Sequence, residues 1–120
     1  MVKLAKVISF LIILLGLVHV LFAFPLYANT DTLWFVGAGL AIIFAGLLNF
    51  VALDRDGSRF TMWVAAVVNS TMCALFCYAI NILNEPQVYV GVAVFLIAAV
   101  AFVSQLLQKK RLGLSVHDDR

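Results

Sequence analysis

Four runs of about twenty residues, 4–24, 33–53, 60–83 and 87–107, divide this chain, and Lys6 is the one Asp, Glu, Lys or Arg inside any of them. At ~1.5 Å of rise per residue, a helix of that length crosses the roughly 30 Å hydrocarbon core of a bilayer. Lipid offers no partners to backbone amides and carbonyls, so only helices and closed barrels can span it. None of the runs shows the alternation of apolar and polar residues that a barrel strand requires, and the sequence therefore predicts transmembrane helices. A soluble fold is excluded by composition. With 65% hydrophobic residues and a mean hydropathy of +1.11 over 120 residues, a single small domain would leave too much apolar surface in water.

The charges then set the expected orientation. Lys3 and Lys6 begin the chain, Arg55 and Arg59 lie between the second and third runs, and Lys109, Lys110, Arg111 and Arg120 follow the fourth. In an even-numbered topology all of these fall on one side, while the other side carries only Asp31 and Glu85. The positive-inside rule predicts both termini in the cytoplasm. The small positive balance is accounted for by topology and by anionic lipid, so no nucleic-acid partner is expected. Tyr27, Trp34 and Tyr89 near one predicted interface, and Trp63 near the other, fit an aromatic belt. A bacterial inner membrane is the expected location.

MVKLAK followed by an apolar run also has the form of a secretory signal. Cleavage after Ala28 would place the bulky Leu26 three residues before the cut, so the first run is expected to stay as an anchor.

The runs are joined by PLYANTDT, DRDGSR and NEP. Such short connections make successive helices antiparallel neighbours, which predicts an all-α, up-down-up-down four-helix bundle. Thr30 or Asp31 is expected to cap the second helix, Gly57 and Ser58 to turn into the third, and Pro86 to start the fourth. Residues 1–108 should form the membrane domain and 109–120 a short polar cytoplasmic tail. Pro25 with Tyr27 and Pro86 with Tyr89 give the two halves a faint similarity, too slight for an internal repeat. A chain of this size is expected to act as a homo-oligomer or beside another membrane protein.

Small and polar residues indicate which faces pack. Gly37, Ala41, Ala45 and Asn49 recur at steps of four, and such spacing lets another backbone come close. On the third run Asn69, Cys73, Cys77 and Asn81 follow the same step, with Tyr78 beside them. Each step of four drifts by about 40° on a helix of 3.6 residues per turn, so such a stripe spirals. Asn69 should lie near the bilayer midplane, where an unsatisfied amide costs several kcal/mol and must find a partner.

His19 stands out as the single imidazole in the apolar runs. Six residues before Pro25, it should sit ~9 Å from the outer end of the first helix, level with Cys77, Tyr78 and Asn81. Tyr78 or Asn81 is its expected hydrogen-bond partner. Polar groups then fall at three heights, around His19, around Asn69, and around Asn49 and Gln105.

Several chemistries are disfavoured. Ion coupling through an intramembrane carboxylate has no carboxylate to use. Haem ligation by two histidines of one chain fails because His117 lies in the tail. Cys73 and Cys77 have neither redox-motif spacing nor enough His, Asp or Glu around them for zinc, and a disulfide within one helix would be strained. No nucleophile triad, HExxH helix, P-loop or paired carboxylate is present. The expectation is a protein without catalytic activity, cofactor or metal. Two functions remain: an accessory, assembly or interaction subunit acting through packed helix faces, or a small transporter, channel or lipophilic-ligand binder. The second would use a pocket lined by His19, Asn69, Cys73, Cys77, Tyr78 and Asn81.

Overall fold

A computed structural model describes residues 1–25, 27 and 29–118, with side-chain environments through Gln108. Leu26 and Ala28, on which the cleavage argument turns, lie outside the described residues, as do the side chains of the tail. Four helices account for nearly all of it: α1 (Val2–Leu21), α2 (Thr30–Ala52), α3 (Arg59–Ala79) and α4 (Pro86–Asp118). No strand occurs among the described residues. All four helices are long and apolar enough to cross a membrane, α4 over Pro86–Gln108, as befits a multi-pass membrane protein.

The ends of the helices follow local chemistry. α1 stops at Leu21, short of the apolar run, as the approach to Pro25 disfavours helix. Asn29, rather than Thr30 or Asp31, caps α2, its side-chain oxygen accepting from the Thr32 amide at 2.8 Å. Ser58 caps α3 as expected, accepting from the Thr61 amide at 3.0 Å. α3 ends at Ala79 although apolar residues continue to Leu83, and there Asn81 Nδ2 donates to the Tyr78 carbonyl at 3.1 Å. α4 starts at Pro86 as expected. It continues through Asp118, so residues 109–118 of the expected polar tail are helical. Lys109, Lys110 and Arg111 are good helix formers.

Two helix pairs are each held by close approach. Between α1 and α2 the backbones nearly touch. A Cβ on Gly16 would lie 2.8 Å from the Gly39 carbonyl oxygen, and one on Gly46 would lie 2.9 Å from the Ser9 carbonyl oxygen. Between α3 and α4 the Phe76 ring lies against Gly91, where a side chain would collide with it. The same ring stacks on Phe95 at 5.5 Å between centroids. Gly91→Ala should therefore displace the Phe76 ring and cost about 1–3 kcal/mol, read as a lower unfolding midpoint in detergent.

Contact between the two pairs is concentrated at the end where the chain begins. Ala5, Ile8 and Ile12 of α1 are buried in the same clusters as Phe95, Ala98, Phe102 and Leu106 of α4, and Ala52 of α2 joins Met62, Ala65 and Ala66 of α3. The fully buried residues of α3 are Met62, Ala65, Ala66 and Asn69, all in its first half. Beyond Asn69, Met72, Cys73 and Phe76 are only partly buried. Small residues let α3 approach at one end, and side chains as bulky as Phe35, Leu75, Phe76 and Leu83 keep the pairs apart at the other.

Candidate functional site

The site is the space left where the pairs separate, at the end that carries Asp31 and Glu85. One chamber of about 540 Å3 has walls from all four helices: Leu15 and His19 of α1 with Phe22 just beyond its end, Phe35 and Ile42 of α2, Phe76 and Ala79 of α3, and Gln87 and Val88 of α4. Glu85 and Leu83 complete its rim. A second cavity of about 440 Å3 lies between α2 and α3, where Asp31, Trp34, Ala38 and Ala41 face Met72, Leu75 and Ala79. The two share His19, Phe35, Ile42, Phe76, Ala79 and Leu83 as walls, so the α2–α3 gap adjoins the central chamber from the side. Volumes of this size fall in the range of small-molecule sites, which run from about 300 to 1,000 Å3.

His19 is held in this space by stacking. Its ring lies on Phe35 with centroids 4.1 Å apart and planes 6° from parallel. Neither Tyr78 nor Asn81 is its partner. Tyr78 is 65% exposed, and Asn81 is turned to the α3 terminus. The reason is rotational: Phe76 and Ala79 face the chamber, and Tyr78 lies ~200° around the helix from Phe76 and ~100° from Ala79. Among the described residues no hydrogen bond holds the imidazole, so its ring edge remains available to a guest.

The other anticipated pocket residues are dispersed. Cys77 is exposed, whereas Cys73 is partly buried and makes a long thiol contact to the Val92 carbonyl at 3.9 Å. Among the described residues no group of three or more His, Cys, Asp or Glu could hold a metal ion. Asn69 lies below the chamber and is fully buried with Asn49. Asn49 Nδ2 donates to Asn69 Oδ1 at 3.2 Å, and Asn69 Nδ2 donates to Asn49 Oδ1 at 2.6 Å and to the Ala65 carbonyl at 2.7 Å. The central and inner polar levels expected from the sequence thus merge into one lock between α2 and α3. Ser9 and Gln105 instead donate back to carbonyls of their own helices, Ala5 and Ala101.

The small-residue stripe of α2 divides in the same way. Ala45 and Asn49 are buried, while Ala41 lines the gap and Gly37 is exposed with nothing within 4 Å of where its Cβ would be. The close approach to α1 falls on Gly39 and Gly46, a step of seven that stays on one face where repeated steps of four rotate away.

Sequence reasoning missed Phe35, Phe76, Ala79 and Leu83, the main walls of the chamber. The available signal was the set of small residues at comparable heights on α2 and α3, Ala38, Ala41 and Ala79, which leave volume when bulky neighbours hold the helices apart.

No protein-family model matches the chain, and no curated protein or solved structure matches it significantly.

Proposed function

We propose that this is a non-enzymatic membrane protein that binds a lipophilic guest in a cleft facing outward between its two helix pairs. In this reading the chain is an up-down-up-down antiparallel bundle in a cell membrane, the bacterial inner membrane by preference, with both termini cytoplasmic. The positive residues all belong to the inner side, and Asp31 and Glu85 mark the outer one. The observation that carries the proposal is the chamber itself: an aromatic and aliphatic space in the outer half, with one imidazole in its wall. Apolar walls supply affinity, and a few placed polar groups fix orientation.

The inner half supports a binder rather than an open channel. Met62, Phe102, Leu106 and the Asn49–Asn69 pair are buried there and leave the guest no through-path in this conformation. Transport would require the inner end to open, with loss of that amide pair.

Binding of an uncharged lipophilic fluorophore to the protein in phosphatidylcholine nanodiscs tests the proposal. Ala79→Trp projects an indole into both cavities and should weaken binding by at least about tenfold, because the ring occupies space the guest would fill. His19→Ala should weaken binding several-fold by removing both the stack on Phe35 and the polar edge. Binding unchanged in both variants would overturn the proposal.

The interaction-subunit reading retains one observation in its favour. Gly37 is a small, open position on the exposed face of α2, suited to a second copy or another membrane protein. Crosslinking through Gly37→Cys in a variant lacking Cys73 and Cys77 would test it, with a crosslinked dimer in membranes as the supporting result.

A further inference from the structure

We infer that the guest is a lipophilic cation, admitted through the α2–α3 gap from the outer leaflet. The inference deepens the cleft reading above and rests on it. Each cavity has one carboxylate in its lining, Glu85 in the central chamber and Asp31 in the α2–α3 gap. No Lys or Arg occurs between Lys6 and Arg55 or between Arg59 and Lys109, so no basic side chain of those stretches offsets either acid. Behind the carboxylates the walls present the rings of Phe22, Trp34, Phe35 and Phe76. Aromatic faces attract a cation through the ring quadrupole, and the attraction grows where water is displaced. An anionic amphiphile would meet two negative rims, and a neutral one would gain nothing from them. The gap between α2 and α3 gives an apolar molecule dissolved in the membrane a side entrance, with Ala38, Ala41 and Ala79 leaving it open.

Both acids also sit near helix N-termini, where a carboxylate complements the helix dipole whatever the guest. A dipole role and a recognition role differ in what they do to probes of opposite charge. The test uses the full chain with Trp63→Phe in phosphatidylcholine nanodiscs, leaving Trp34 in the gap as the reporter. Tetraphenylphosphonium and tetraphenylborate, ions of similar size and opposite charge, are titrated against Trp34 fluorescence. Each probe is read as the ratio of variant to parent affinity, which cancels its partitioning into lipid.

The double variant Asp31→Asn with Glu85→Gln should weaken phosphonium binding about tenfold and leave borate binding unchanged or tighter, and raised salt should weaken phosphonium binding to the parent. If the double variant does not fold, each single variant is expected to give about a threefold loss, since independent contributions multiply. Equal changes for both probes, or none for either, would overturn the cationic guest. Loss of both probes on Ala79→Phe, which fills the cleft without adding a second tryptophan, would in that case leave the cleft standing. Binding of neither probe nor of the uncharged fluorophore to the parent protein would remove the cleft as well.

Discussion

Gly16→Ala lowers the unfolding midpoint of the protein in detergent, whereas Gly37→Ala leaves it unchanged or raises it. Both changes carry the same intrinsic gain, since alanine is favoured over glycine in a helix by about 1 kcal/mol. The difference between them therefore isolates what the new methyl group meets. At Gly37 nothing lies within 4 Å. At Gly16 the methyl would be 2.7 Å from Ile43 Cγ1, 2.8 Å from the Gly39 carbonyl oxygen and 2.9 Å from the Ile43 amide nitrogen. A side-chain carbon can rotate aside, but the backbone atoms move only if the two helices separate. Separation forfeits the packing on which association of membrane helices depends. Overpacking of this kind costs about 1–3 kcal/mol, enough to exceed the propensity gain. Titration with denaturing detergent, followed by circular dichroism, gives both values. Equal midpoints for the two variants would show that α1 and α2 do not approach at Gly16.

The second large effect is expected at the amide pair. Asn69→Leu removes both hydrogen bonds between the side chains and leaves Asn49 buried without its partner, while Asn49→Leu leaves Asn69 its bond to the Ala65 carbonyl. Leucine resembles asparagine in shape, so the comparison is mainly one of polarity. An orphaned buried polar group costs about 1–3 kcal/mol, and replacing both partners by apolar groups can be nearly neutral. The expected order of destabilisation is Asn69→Leu first, then Asn49→Leu, with the double variant well below their sum. The same unfolding titration checks it. Additive losses would mean that the two amides act independently.

This lock also bears on function. It fastens α2 to α3 below the chamber, in the half where the pairs meet, and so fixes how far they can separate above. In the proposed cleft reading, a variant without it is expected to alter guest binding with no change to any wall of the chamber. That separates Asn69 from His19, although the sequence placed both in one prospective pocket.

Much of the architecture could be read directly from residue type and order. The four apolar runs gave four helices, and Ser58 and Pro86 marked two of their starts. Asn69 had to find a partner because lipid offers none, and it found one. Which partner it found was not readable, since Asn49 lies twenty residues away on another helix and helix rotation decides whether the two meet. The chamber was hidden for a related reason. In water, a wall residue and a surface residue differ in polarity, but in a membrane Phe35 and Phe76 beside a cavity look like Phe10 and Phe44 facing outward. Charge-free length and the need to satisfy backbone polar groups thus determined the number of helices from sequence alone. Their rotation and splay, which make Gly39 rather than Gly37 the contact and place His19 against Phe35, depend on side-chain packing across helices, and only the tertiary structure decided them.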